Sequence, residues 1–166
     1  MARAPDPRRL TVCSYCGCLA FASISQLTAE HEQIITLMGD VRRAVAGAPP
    51  RALDVATSAL AAALGRHTAG EERSLFAELR NDPQLADHVA ALCAEHAELD
   101  TRLDELQRGG SDAAHELEDL LRRHIDKEEN GLFPAAAISL DGAAWDKVDS
   151  LLAREPHPHL SATDSR

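Results

Sequence analysis

Aromatic residues are scarce: three Phe, one Trp and one Tyr make up 3% of a 166-residue chain that is 45% hydrophobic. A single domain of this size must therefore build its core from Leu, Ile, Val and Ala, a mixture that suits packed helices. Long basic runs are missing too, and the net charge is −10. That excludes a nucleic-acid partner, because neutralising phosphates needs clustered Lys and Arg. No stretch approaches the roughly 20 apolar residues of a membrane span. The first residues, among them Arg3, Pro5, Asp6, Pro7, Arg8 and Arg9, lack the apolar centre of a signal peptide. The expected location is cytoplasmic, with no membrane partner. Four cysteines in that compartment read as metal or redox thiols, not as a disulfide framework.

What the chain has in abundance is helical periodicity. After a polar start, Cys13-Ser-Tyr-Cys16-Gly-Cys18 forms a compact segment, and residues 1–22 are expected to be flexible. A first helix is predicted from about Ser23 to Ala46, ended by Gly47, Pro49 and Pro50. A second runs from Arg51 to Arg80, broken by Asn81-Asp82-Pro83, with Pro83 suited to a first helical turn. The third continues to Arg108, where Gly109-Gly110 stops it and Ser111 or Asp112 can cap the fourth. That helix reaches about Asn130, and Pro134 limits its extension. A short helix near Ala143–Ala153, within a segment 135–154, carries the only Trp, and residues 155–166 form a flexible tail.

Each long helix has an apolar seam interrupted by a histidine. The first places Ile24, Leu27, Ile34, Met38, Val41 and Val45 at steps of three and four, and His31 fills the gap. The third does the same with Leu85, Val89, Leu92, Leu99, Leu103 and Leu106 around His96. The second seam reads Leu53, Ala56, Leu60, Leu64, His67, Glu71, Leu75, and the fourth Leu117, Leu121, His124, Glu128, Leu132. Short connections make sequential helices antiparallel neighbours. The predicted fold class is all-α, an up-down-up-down four-helix bundle over residues 23–134 with a short fifth helix and a Cys-rich N-terminal segment.

A seam faces the core, where an unpaired carboxylate suffers a large desolvation cost, so something must compensate Glu71 and Glu128. In His67-x3-Glu71 and His124-x3-Glu128 the partners lie one turn apart on one face and reach the same interior point. At i+5, Glu72 is expected to point off that face. Any one of these histidines alone reads as a satisfied polar group, but one per helix, two with Glu at i+4, reads as a metal site. Imidazole and carboxylate together suit iron, manganese or zinc, and two carboxylates from different helices can bridge a pair of ions. His88 and His115 lie off the seams and are expected to be solvated.

The sequence also repeats itself. His67-Thr-Ala-Gly-Glu71-Glu72-Arg-Ser-Leu75-Phe76 and His124-Ile-Asp-Lys-Glu128-Glu129-Asn-Gly-Leu132-Phe133 share the form H-x3-E-E-x2-L-F. With His31 in EHEQI and His96 in EHAEL, the chain resembles the hemerythrin-like, or HHE cation-binding, family over about Ile24–Pro134. That resemblance implies a non-haem di-iron centre in which His31, His67, His96 and His124 are terminal ligands and Glu71 and Glu128 bridge. Oxygen-carrying hemerythrins have a further histidine where this chain has Asp100, and space their last carboxylate so as to select Glu129. Asp100 and Glu129 therefore stand as additional candidate ligands, while the i+4 face and the first repeat favour Glu128. Ferritin-like sites use Glu-x-x-His pairs, and the chain contains none.

Three thiols at Cys13, Cys16 and Cys18 are one short of a closed zinc site, with Cys93, His157 or His159 as candidates for the fourth ligand. Reversible disulfide exchange is the alternative, and simple packing the plain one. Two function classes follow from the iron reading. One is a protein that binds or senses dioxygen, nitric oxide or iron, and the other an enzyme that decomposes peroxide or reduces a small oxidant.

Overall fold

The structure is a computed structural model that describes residues 17–47, 49–109 and 113–153. Every regular element among them is helical. A 3-10 turn at Cys18–Ala20 leads into α1 (Ala22–Val45), and α2 (Pro50–Arg73) opens on a proline, whose missing N–H is harmless in a first turn. After α3 (Leu75–Leu79), Asp82 Oδ1 accepts a hydrogen bond from Gln84 N at 2.8 Å in the turn before α4 (Ala86–Gln107). Pro83 thus belongs to that turn and not to the helix. Gly109, at φ 96°, ends α4 in the left-handed conformation that glycine takes without strain. Then come α5 (Ala113–Lys127), α6 (Phe133–Ser139) and α7 (Gly142–Leu152). Ser111 and Asp112, the expected caps, lie outside the described residues, as do Cys13, Cys16, His157 and His159.

Two helices expected to be continuous are interrupted, one just beyond Glu71-Glu72 and the other at Glu128-Glu129. The second stops at Ser74 (φ −110°, ψ −92°), whose hydroxyl donates to Gly70 O at 2.6 Å. A serine hydroxyl that takes the carbonyl four residues back bends its helix. The fourth passes into a π-helical turn at Glu128–Leu132 and resumes as α6. Pro134 does not stop it, because it falls in the first turn of α6.

The four long helices close a ring: α1 packs on α2 and α5, and α4 packs on α5 and α2. Inside, the core divides into two apolar layers. One holds Ile34, Met38 and Val41 of α1, Leu60 and Leu64 of α2, Leu99 and Leu103 of α4, and Leu117 and Leu121 of α5. The other holds Ile24, Leu27, Leu75, Phe76, Val89, Leu92, Leu132 and Phe133, closed by Trp145, Val148 and Leu152 of α7. Trp145 stacks on Phe21 with ring centroids 4.2 Å apart, and Ser23 Oγ donates to Asp149. On every long helix a buried histidine lies between the two layers. No helix among the described residues is long and apolar enough to cross a membrane.

Candidate metal centre

Burial of a polar layer between two apolar ones demands that every donor and acceptor find a partner. The layer consists of His31 on α1, His67 and Glu71 on α2, His96 on α4, His124 on α5 and Glu128 in the π turn, none more than 4% exposed. One nitrogen or oxygen from each of His31, His67, Glu71 and Glu128 lies within 4.8 Å of all the others, and the same holds for Glu71, His96, His124 and Glu128. Both carboxylates belong to both groups. His31 Nε2 is 3.1 Å from Glu128 Oε2, His67 Nε2 3.3 Å from Glu71 Oε2, and His124 Nε2 3.2 Å from Glu128 Oε1. His96 Nε2 lies 3.5 Å from Glu71 Oε2 and 3.0 Å from His124 Nε2.

These approaches are short, yet among the described residues His31 Nε2, His67 Nε2 and all four oxygens of Glu71 and Glu128 have no hydrogen-bond partner. Buried polar atoms left unpaired in one cluster, nitrogen facing carboxylate oxygen, fit a metal ion. Bonds of about 2.1 Å at right angles place two donor atoms about 3.0 Å apart, close to the 3.0–3.5 Å between these atoms.

The other nitrogen of each ring is held from outside. His67 Nδ1 lies 2.9 Å from Glu30 Oε2, His96 Nδ1 2.8 Å from Glu72 Oε1, His124 Nδ1 3.0 Å from Glu95 Oε2, and His31 Nδ1 2.9 Å from Glu129 Oε1. Around the ring each helix's glutamate grips the next helix's histidine: α1 holds α2, α2 holds α4, α4 holds α5, and the π turn closes back on α1. A carboxylate only accepts, so each Nδ1 donates and each Nε2 presents its lone pair inward. Phe133 lies parallel to His31, and Phe76 parallel to His96.

Without a cation the carboxylates of the layer favour protonation of His31, His96 and His124. Burial opposes a charge on His31, but the contacts with Glu128 and Glu129 and the field of Glu71 outweigh it and raise its pKa to about 10. Burial likewise opposes a charge on His96, and Glu71, Glu72 and Glu128 together raise it to about 9. The rise at His124, again against burial, comes mainly from Glu128. Glu128 itself is held well below the usual carboxylate range, because contacts with His124 and His31 overcome its own burial.

The six seam residues singled out from sequence are thus brought together. Asp100 is exposed and belongs to neither group. Glu129 is buried, but its contact is with the outer nitrogen of His31. Glu72 lies outside both donor groups and reaches the outer nitrogen of His96 on the neighbouring α4. Sequence reasoning missed Glu30 and Glu95, although each immediately precedes a seam histidine. Adjacent helical residues point about 100° apart, so a Glu beside a core-facing His faces the neighbouring helix. His88 and His115 are exposed. Cys18 is buried in the apolar layer nearest α7, and half-buried Cys93 accepts a hydrogen bond from Arg80 Nη2 at 3.2 Å.

A family model described as the hemerythrin HHE cation binding domain matches residues 22–136. No curated protein and no solved structure matches the chain significantly.

Proposed function

This chain belongs to the hemerythrin HHE cation-binding domain family, and we propose that it holds two non-haem iron ions and uses them to bind or sense dioxygen, nitric oxide or iron itself. His31 and His67 would hold one ion and His96 and His124 the other, with Glu71 and Glu128 available to both. The observation that carries this reading is the pair of donor groups sharing both carboxylates. The orphaned oxygens of those carboxylates support it further. Along α1 and α4 the residues pass from the α7-side layer to the far layer, and along α2 and α5 they return, which supports an up-down-up-down path.

An iron pair supplies reversible redox change and a position at which a small ligand can bind. The chain's own residues do the rest. The outer glutamates fix the imidazole tautomers, and the two apolar layers exclude water from both ends of the polar one. Among the described residues, the buried acidic and basic side chains are those of this layer, Glu129, which holds His31 from outside, and Glu118, which pairs with Arg122. None is left over as a dedicated acid or base, and this favours binding over turnover. The Cys13, Cys16 and Cys18 segment, with Cys93, is assigned a separate zinc or redox role, and the protein a cytoplasmic location. A steady-state assay tests the choice: the binding reading expects a stable optical change on exposure to dioxygen without consumption of hydrogen peroxide. Sustained peroxide turnover would instead establish an enzyme.

A further inference from the structure

The repeat H-x3-E-E-x2-L-F contains more than donor atoms. Its second Glu and its Phe are absent from both donor groups, yet both recur at the same offsets. In the first repeat Glu72 Oε1 is 2.8 Å from His96 Nδ1, and Phe76 lies over the same ring, centroids 5.5 Å apart and planes at 9°. In the second, Glu129 Oε1 is 2.9 Å from His31 Nδ1, and Phe133 lies over that ring at 5.8 Å and 4°. The destination of these contacts is the informative part. His67 of the first repeat groups with His31, and His124 of the second groups with His96. Each repeat therefore donates its histidine to one group and holds the lone histidine of the other.

Rotation of an imidazole about its last side-chain bond is soft, so its direction must be imposed by its surroundings. A carboxylate on Nδ1 fixes the tautomer and the in-plane direction, and an aromatic face fixes the ring plane. We propose, resting on the two-ion reading above, that the repeats cross-brace the centre. Glu72 and Phe76 position His96 for the ion it shares with His124, and Glu129 and Phe133 position His31 for the ion it shares with His67. Neither half of the bundle then completes an ion position alone. A rigid His31–His67 pair needs the π turn and α6 in place, and a rigid His96–His124 pair needs α2 and α3. This gives the recurrence of the second Glu and the Phe a reason that neither core filling nor ligation supplies.

The test uses the full chain, freed of metal and reloaded anaerobically with ferrous iron, with iron per chain read against a chelator that leaves the unaltered protein fully loaded. Glu72→Ala is expected to weaken one ion by about 10–100-fold and leave the other in place. Glu72→Gln, whose amide oxygen still accepts from Nδ1, should restore most of that loss, which a purely electrostatic role would not allow. Glu72→Ala combined with His124→Ala should still retain about one ion, because both changes strike one position. Combined with His67→Ala it should retain close to none. Phe76→Leu, a near volume-conserving change that keeps the core filled, should follow Glu72→Ala in both combinations. The reverse pattern, or two ions retained in Glu72→Ala, would overturn the brace alone. An unaltered chain that loads no iron, or a Glu71→Ala chain that keeps two ions, would overturn the two-ion reading and the brace with it.

Discussion

The Nε2 atoms of His96 and His124 stand 3.0 Å apart while the Nδ1 atom of each ring faces its own glutamate, Glu72 and Glu95. With both Nδ1 protons committed, two lone pairs meet unless a cation lies between or beside them. A proton can serve, at the cost of an imidazolium inside the core, and a metal ion serves both rings and both shared carboxylates at once. The layer is therefore built for positive charge, and protons and metal compete for it.

That competition has a definite sign. His31 is raised from 6.5 to about 10 in the metal-free fold, so its contribution to stability is complete below pH 6.5 and is lost as pH rises through 10. His96, raised to about 9, acts in the same direction. The melting temperature of the metal-free protein should therefore fall steadily between pH 7 and pH 10. The loaded protein, whose nitrogens hold metal, should lose ions on acidification and show no such alkaline decline. Thermal melts of both forms across that range check this, and a flat metal-free profile would speak against the charged layer.

The proposed bridging role of the carboxylates is separable from the roles around it. Glu71→Ala or Glu128→Ala should lower iron from about two ions per chain to one or none, since a paired site depends on shared oxygens. Asp100→Ala should leave the content unchanged, because that side chain is exposed and outside both groups. Iron analysis of the three purified variants decides the matter. Equal losses from Asp100→Ala and Glu71→Ala would contradict the assignment.

Much of this arrangement could be read before any coordinates. The seam gaps at His31 and His96 and the two His-x3-Glu pairs located the polar layer, because in an amphipathic helix a buried position is known from its apolar neighbours. The interruptions could not be read. Ser74 looks like any helical serine, and a π turn has no signature in Glu-Glu-Asn-Gly-Leu, yet that turn leaves Glu128 and Glu129 both buried. The partner of Glu72 could not be read for a related reason: helical geometry tells which way a residue leaves its own helix, not which neighbouring helix receives it. Glu30 and Glu95 were legible only as the first letters of two EH pairs, and their role needs the order of the helices around the ring.

The cysteines should prove independent of the iron layer. Cys18 precedes His31 by 13 residues, a span of about 20 Å if helical, and it is buried in the α7-side apolar layer. Replacing Cys13, Cys16 and Cys18 together by Ser should leave iron content intact while any zinc or reversible disulfide disappears. Cys93→Ser should reproduce part of that loss if its thiol is the fourth partner. Metal analysis and thiol titration report both outcomes, and loss of iron from the folded triple variant would show that the two regions act as one.

Iron stoichiometry of the unaltered chain, measured together with its melting temperature before and after metal removal, bears most directly on the whole account. Candidate donors drawn from all four long helices would make a bound metal a tie across the bundle, so that binding energy became folding energy. About two iron ions per chain are expected after anaerobic reconstitution, and a clear fall in melting temperature when they are removed. A chain that takes up no iron and melts at the same temperature with and without it would contradict the account.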